Sequence, residues 1–196
     1  MSFLVQEHKL SLDQIPSLCT ACRAQGWHGV WAPAASSSGH HLARSGGVAI
    51  LVPSHILITQ GLDVPSHRHL HAYIQWTRTR LLHLFNVYAF DVSYPDRLEQ
   101  NAAIYQRIQT ELAQLGRVPW LLGGDFNQGP TEDLPGRSRP ARVAAPLQPA
   151  HDFGRTLDWF LHSPHLGSFA PGLCPSGLHC IWPCSGCFAS PRAPGA

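Results

Sequence analysis

The stretch Leu121-Leu122-Gly123-Gly124-Asp125-Phe126-Asn127 decides the fold. It ends a hydrophobic run that begins at Val118, which is typical of a buried strand. Side chains alternate along an extended chain, so Asp125 and Asn127 are expected on one side and Phe126 on the other. A carboxylate and a carboxamide would then leave a core strand together, where they can hold a metal, a water or a phosphate oxygen. An ordinary Asx-type turn explains the same residues, and both interpretations stay open here.

The composition is that of one folded domain of ordinary size. Of 196 residues, 44% are hydrophobic and 13% charged, which excludes a chain that stays unfolded for lack of apolar surface. The net charge of +2 and the lack of a cationic run mean that nucleic acid would have to bind at a local patch. Met1 to Leu10 has no apolar signal-peptide core, and no apolar run reaches the ~18 residues of a membrane span. We expect a soluble intracellular protein, cytoplasmic or nuclear.

Hydrophobic spacing predicts several strands interspersed with two helices. Strands are predicted at Phe3–Val5, Gly46–Val52, Leu70–Trp76, Leu81–Phe90, Val118–Phe126 and Thr156–Leu161, and helices at Ser11–Gly26 and Asp96–Leu115. Two further segments, Trp31–Ser45 and Gly129–Gly154, have the composition of loops. This order predicts a layered α/β or α+β domain over residues 1–163, followed by an irregular tail rich in Pro, Gly and Cys at 164–196.

The second helix and the central hairpin are the clearest local predictions. In the helix, Leu98, Tyr105, Ile108, Leu112 and Leu115 form an apolar stripe at helical spacing. Asp96 is a candidate N-cap and Gly116 a candidate C-terminal stop. The two strands around residues 77–80 predict an antiparallel hairpin.

Acidic side chains stand at the ends of several predicted strands. Glu7 directly follows one strand, and Asp158 lies inside another. A carboxylate inside an apolar strand costs several kcal/mol unless a charge or a metal compensates it. Oxygen ligands from separate strands suit Mg²⁺, which polarises a phosphoryl group and offsets its developing charge. A strand-end acid that simply faces solvent remains the alternative for each residue taken singly.

Five segments together resemble the endonuclease/exonuclease/phosphatase superfamily, which includes DNase I-like nucleases, deadenylases, inositol-phosphate phosphatases and retrotransposon endonucleases. The segments are Leu4-Val5-Gln6-Glu7, Ser45-Gly46-Gly47-Val48-Ala49-Ile50, Asn86-Val87-Tyr88, Gly123-Gly124-Asp125-Phe126-Asn127 and Leu157-Asp158-Trp159-Phe160-Leu161. Their order and rough spacing match over about residues 3–163. The resemblance implies a four-layer α/β sandwich of two packed, mostly antiparallel sheets flanked by helices. It also implies a metal-dependent phosphoester hydrolase. Mg²⁺ is the expected metal, with Mn²⁺ as the other candidate, and DNA or RNA is the substrate that the leading hypothesis expects.

The resemblance further implies a role for each matching residue. Glu7 matches the metal-binding glutamate, Asp125 the aspartate that aligns the attacking water, Asn127 the asparagine that holds a phosphate oxygen, Tyr88 a tyrosine beside the scissile phosphate, and Asp158 the aspartate that orients a catalytic histidine. Asn86 and Arg44 are additional candidate substrate contacts.

Two elements of the family pattern are not found, so the chain resembles a member truncated at both ends. These elements are an opening strand with an asparagine and a closing Ser-Asp-His segment. The nearest match to the latter is Ser176-Gly177-Leu178-His179-Cys180, which makes His179 the candidate general base although Leu178 stands where an aspartate is expected. A nuclease, in one version of retrotransposon origin, is the leading hypothesis. An inactive fragment of the fold and a phosphatase for a small or lipid phosphoester are the alternatives.

A zinc-binding module is a further hypothesis from the cysteines. Cys19-x-x-Cys22 and Cys184-x-x-Cys187 have the spacing of zinc pairs, and Cys174 and Cys180 lie near the second pair. The first pair falls on a predicted helix, where cysteine also fills a packed face.

Overall fold

The computed structural model describes residues 2–36, 44–61, 65–128, 142–144, 158–164, 166 and 178–181. In this part of the chain the elements are β1 (Ser2–Val5), α1 (Ile15–Ala24), β2 (Trp27–Ala32), β3 (Ala35–Ser36), β4 (Arg44–Ser45), β5 (Val48–Pro53), β6 (Ile58–Gln60), β7 (His69–Thr77), β8 (Arg80–Tyr88), α2 (Arg97–Leu115), β9 (Trp120–Asp125), β10 (Arg142–Ala144), β11 (Asp158–His162) and β12 (Leu178–Ile181). Neither helix is long and apolar enough to cross a membrane.

The strands form two main sheets and a small ribbon. One sheet has the order β12-β1-β5-β2, the other has the order β10-β11-β9-β8-β7-β6, and β3 pairs with β4. The pairs β1–β12 and β8–β9 are parallel, whereas the remaining pairs are antiparallel. The hairpin predicted from the sequence is therefore confirmed as β7–β8.

The layers follow from the alternation of side chains along β8 and β9. Leu84 and Leu121 belong to the core between the two sheets, while Phe85 and Leu122 pack beneath α2. A fully buried Phe such as Phe85 contributes about 1.5–3 kcal/mol through the removal of its surface from water. On the far side α1 contacts β2, so each sheet carries a helix on its outer face. The predicted four-layer sandwich is confirmed.

Asn86 joins the two sheets inside this core. Its Nδ2 donates to the carbonyl oxygens of Val5 and Ala49 at 2.8 Å each, and its Oδ1 accepts from Gln6 Nε2 at 2.6 Å. The side chain is fully buried. Such complete pairing is what allows a carboxamide to be buried without a large penalty. Asn86 is thus a structural bridge, and this corrects the expectation that it contacts substrate.

The structure differs from the predicted elements in a few places. β2 lies where no strand was predicted, because Trp27, His28 and Gly29 gain strand structure from pairing with β5. Helix α1 begins at Ile15, four residues after the predicted start.

On α2 the predicted stripe packs against the sheet except for Leu98, which is 73% exposed. Asp96 precedes α2 without a side-chain capping hydrogen bond, while Gly116 ends it with a φ of 71° as expected. Most of the predicted loop at Gly129–Gly154 and of the predicted tail at 164–196 lies outside the described residues.

Candidate active site

Three neighbouring strands meet at one end of the second sheet, where β8 and β9 finish and β11 begins. Tyr88 on β8 is the register partner of Asp125 on β9, and Asp125 is in turn paired with Asp158 on β11. The amide of Ala89 donates to the carbonyl oxygen of Asp125 at 2.8 Å, which fastens the chain just beyond β8 to the end of β9. The backbones of three predicted site residues therefore meet at one end of the second sheet.

A turn, not an extended strand, brings Asn127 to this end. β9 stops at Asp125, and the amide of Asn127 donates to Asp125 Oδ1 at 2.9 Å, which is the Asx turn left open above. Asn127 has a φ of 52°, and its Nδ2 donates to Ala89 O at 2.6 Å. One Nδ2 hydrogen remains for another acceptor. The period-two argument for Asn127 was wrong, but the expected pairing with Asp125 holds through the turn.

Glu7 reaches the site from the first sheet. It follows β1 with a φ of 52°, a conformation that is uncommon for a residue with a Cβ. The adjacent amides of His8 and Lys9 donate to Gly47 O at 3.2 Å and Gly46 O at 3.1 Å, which holds the segment in place. Lys9 Nζ lies 3.2 Å from Glu7 Oε1.

His8 fixes this segment as a neutral ring. The amide of Leu10 donates to His8 Nδ1 at 3.1 Å, so Nδ1 carries no hydrogen. The hydrogen is therefore on Nε2, which donates to Ala32 O at 3.1 Å. Burial lowers the pKa of His8, in agreement with a neutral ring. His8 thus supports the position of Glu7, a role that the sequence alone did not indicate.

The phenol of Tyr88 interacts with the carboxylates of both Glu7 and Asp125. Burial first, and then the negative charge of Glu7, raise the pKa of Tyr88 well above its usual range, and the charge of Asp125 adds to this rise. A hydrogen bond between the phenol and Glu7 contributes as well. The phenol is therefore protonated at neutral pH and donates to Glu7. Glu7, Tyr88 and Asp125 come together here although they lie far apart in sequence.

Arg68 is a further charged residue at this site that sequence reasoning missed. It is 3% exposed, and its Cζ lies 4.3 Å from the ring centroid of Tyr88 and 4.1 Å from that of Phe90. Its positive charge opposes the rise in the pKa of Tyr88. The sequence offered one indication of its role: Arg68 is a cation just before the strand predicted at Leu70, and no acidic residue is next to it in the sequence.

The remaining candidates are placed by their backbones. Arg44 lies on β4 opposite Ser36 and is partly exposed. His179 lies on β12 and is the register partner of Phe3 on β1. Its role as general base stays a prediction. The side chains of Asp158 and His179 lie outside the described part.

The donors at this site are oxygens of the kind that Mg²⁺ and Mn²⁺ prefer. Among the described residues, no group of three or more His, Cys, Asp or Glu side chains is arranged to hold a metal ion. Mg²⁺ keeps several waters and takes one or two carboxylates plus phosphate oxygens, so Glu7 with Asp125 nearby fits its needs. Cys19 and Cys22 are free thiols on α1.

Two packed sheets between helices, with acids, an amide and a phenol at their strand ends, define the class of DNase I-like phosphoesterase folds. A profile of the Endonuclease/Exonuclease/phosphatase family matches residues 3–178, and the chain belongs to that family. A search of curated proteins found no match.

Three of the solved structures with the same fold illustrate the likeness. The human Nocturnin catalytic domain is 17% identical, with 84% of this chain and 69% of that chain covered and a TM-score of 0.54. A mannosyl-6-phosphatase from Bacteroides thetaiotaomicron is 16% identical, with 83% and 71% covered and a TM-score of 0.54. ANGEL2, a 2',3'-cyclic phosphatase, is 13% identical, with 83% and 69% covered and a TM-score of 0.52. At these identities the likeness shows the fold alone.

Proposed function

We propose that this chain is a Mg²⁺-dependent phosphodiester hydrolase that acts on nucleic acid. The observation that carries the proposal is the register that pairs Tyr88 with Asp125, and Asp125 with Asp158, at one end of the second sheet, with Asn127 held beside Asp125 by the Asx turn. The negative charges of Glu7 and Asp125 both raise the pKa of Tyr88, and such perturbed groups are typical of functional sites. Membership of a family that generally depends on a divalent metal supports the same conclusion.

Each residue at the strand ends has a distinct part in this proposal. Glu7 would hold the metal, which supplies charge neutralisation and polarisation of the phosphoryl group. Asp125, buried and oriented by the Asx turn, would accept a hydrogen bond from the attacking water. Asn127 would donate its remaining amide hydrogen to a phosphate oxygen, and Tyr88 would turn its one phenol hydrogen from Glu7 to the bound phosphate. The proposal names no residue as general base.

Aromatic and cationic side chains beside the strand ends favour nucleic acid as the substrate. The rings of Phe90 and Tyr94 meet at 5.0 Å and 72°, and both residues are partly exposed. Aromatic rings next to a phosphate site provide stacking surfaces for bases. Arg44 on β4 directly precedes Ser45 in the chain and is a further candidate for a phosphate contact.

Hydrolysis of end-labelled oligonucleotides tests the proposal. Single-stranded DNA, single-stranded RNA and an abasic duplex are each incubated with the protein over a titration of Mg²⁺. We expect Glu7→Gln and Asp125→Asn to lower kcat about 100-fold or more, since each removes charge at the reacting phosphate. Glu99→Gln and Asp96→Asn are the matched controls, because both residues are exposed and lie next to or on α2.

The alternatives give different results in the same experiment. If both site variants cleave as well as the parent, the site is assigned to the wrong residues. Hydrolysis of a small phosphomonoester without cleavage of any oligonucleotide would make the protein a phosphatase. No hydrolysis of either substrate, together with no heat on titration of Mg²⁺ at millimolar concentration, would indicate an inactive member of the family.

A further inference from the structure

The surroundings of Arg68 contain ring faces and hydroxyl groups. Its guanidinium lies against Tyr88 and Phe90, and its Cζ is 5.4 Å from the ring centroid of Tyr94. Nη2 donates to Ser45 Oγ at 2.7 Å and to Tyr94 OH at 3.3 Å. Stacking on aromatic faces stabilises a guanidinium but leaves its positive charge in place. That charge therefore acts on the two hydroxyl groups.

The hydrogens of these two hydroxyls can be counted. Ser45 Oγ and Tyr94 OH are 3.1 Å apart, so one of them donates to the other. Both oxygens already accept from Arg68. One of the two hydroxyl hydrogens is thus used inside the pair, and the second is left to donate outward. Because both oxygens are polarised by a cation, the outward hydrogen favours an anionic acceptor.

The position of the Ser45 and Tyr94 hydroxyls indicates which anion they bind. Arg68 is buried, whereas Ser45 and Tyr94 are partly exposed, so the hydroxyls form the accessible side of the cluster. The ring of Tyr88 lies against the same guanidinium, which places the pair next to the strand ends where the scissile phosphate would bind. The pair is nevertheless a separate donor, on β4 and in the loop that precedes α2.

We propose that the Ser45–Tyr94 hydroxyl pair, backed by Arg68, binds a nonbridging oxygen of the phosphate next to the scissile one. This inference rests on the proposed function, since it requires a substrate with consecutive phosphates. The pair then sets the register of the strand in the site, as phosphate contacts do in other nucleic-acid complexes. A purely structural role, in which the hydroxyls only anchor the loop around Tyr94, is the alternative to be tested.

Neutral phosphates distinguish the two roles. A series of single-stranded oligonucleotides is made in which one methylphosphonate replaces a different phosphate in each member. The affinity of the protein for each member is measured in EDTA by fluorescence anisotropy. Loss of one charge-assisted hydrogen bond is expected to weaken binding by the wild type about tenfold at one position beside the cleaved linkage. In Tyr94→Phe, which keeps the ring against Arg68, that position is expected to change binding less than twofold. Tyr73→Phe on β7 is the matched control and keeps the wild-type profile.

Each outcome has a definite meaning. A Tyr94→Phe protein with the same sensitive position as the wild type overturns the inference and leaves the proposed function intact. A wild type that binds the unmodified oligonucleotide but has no sensitive position also overturns it. A wild type that binds no oligonucleotide refutes the nucleic-acid substrate and the inference together. Ser45→Ala, measured alongside with its thermal unfolding, gives an independent second reading of the same contact.

Discussion

Tyr88 and Asp125 are register partners on the parallel strands β8 and β9, and the phenol of Tyr88 also donates to Glu7 from the other sheet. One side chain therefore connects the ends of both sheets. The raised pKa of Tyr88 keeps the hydrogen on its phenol, so the phenol remains a hydrogen-bond donor. Removal of the Tyr88 hydroxyl, with the ring kept, therefore tests whether this residue takes part in catalysis or only packs in the core.

Replacement of Tyr88 by Phe is predicted to lower kcat about 10- to 100-fold, the usual effect of removing one preorganised donor from a developing negative charge. The folded state is expected to change little, because the buried ring and its contact with Arg68 remain. Steady-state cleavage of a labelled oligonucleotide gives kcat and KM, and thermal unfolding gives the stability.

Tyr73→Phe provides the comparison, because Tyr73 lies on β7 against His83 and away from the strand ends. Its kcat is expected to equal that of the wild type. Equal kcat values for all three proteins would show that the phenol of Tyr88 takes no part in the reaction.

Glu7 and Asp125 could be named as candidates from the sequence, because each stands at the end of a short apolar strand. Tyr88 was named only through the resemblance to the family. Arg68 was not predictable in the same way. Its role depends on rings from β8 and from the loop before α2, and a single-sequence pattern does not show which non-local residues will surround a cation.

Asn86 and β2 show that single-sequence patterns also miss non-local contacts in the fold itself. Period-two spacing correctly put Asn86 and Tyr88 on one face, but it did not show that β1 and β5 cover that face at Asn86. Trp27 to Ala32 lacks a clear alternation and contains Gly29, and pairing with β5 is what makes it a strand.

The bridge at Asn86 predicts a large loss of stability on truncation. Asn86→Ala would leave the carbonyl oxygens of Val5 and Ala49 and the amide of Gln6 without their partner. Each buried unsatisfied group costs about 1–3 kcal/mol, so a loss of about 3–5 kcal/mol is expected after partial relaxation. Urea unfolding measures the change. A loss below about 1 kcal/mol would contradict the bridging role, because an isolated side-chain hydrogen bond already contributes that much.

Gly47 supports Glu7 through its backbone, and this also predicts a mutational effect. Its φ is 89°, and an added Cβ would lie 2.6 Å from Cε1 of His8. Gly47→Ala is therefore expected to strain the backbone, to push the neutral ring of His8 aside and to shift the segment that carries Glu7. A loss of about 2 kcal/mol or more in stability is expected, together with reduced kcat.

Gly116→Ala is the matched control for Gly47→Ala. Gly116 also has a positive φ, 71°, but an added Cβ would meet nothing within 4 Å. The Gly116→Ala variant is expected to lose only about 1 kcal/mol of unfolding free energy, through backbone strain, and to keep full activity. A Gly47→Ala protein that matches this control in both measurements would exclude the support of Glu7 by Gly47.

Acid should destabilise the protein through His83. Its Nδ1 lies 2.9 Å from His71 Nε2, while His71 Nδ1 is 2.9 Å from Glu111 Oε2 on α2, and the ring of Tyr73 lies beside His83. Burial first, and then the charge of His71, lower the pKa of His83 from 6.5 to about 4. The unfolded chain therefore binds a proton at this position before the folded chain does.

The sign of the pH effect follows from that order. The contribution of neutral His83 is fully present above pH 6.5 and is lost as the pH falls towards 4. The full shift corresponds to about 3 kcal/mol, of which about 2 kcal/mol is lost between pH 7 and pH 4.5. The free energy of unfolding is measured by chemical denaturation at pH 7 and at pH 4.5. Its decrease between the two pH values should be about 2 kcal/mol smaller for His83→Gln than for the wild type. His55→Gln, at an exposed position, should follow the wild type. Parallel losses in all three proteins would show that the buried histidine pair does not determine acid sensitivity.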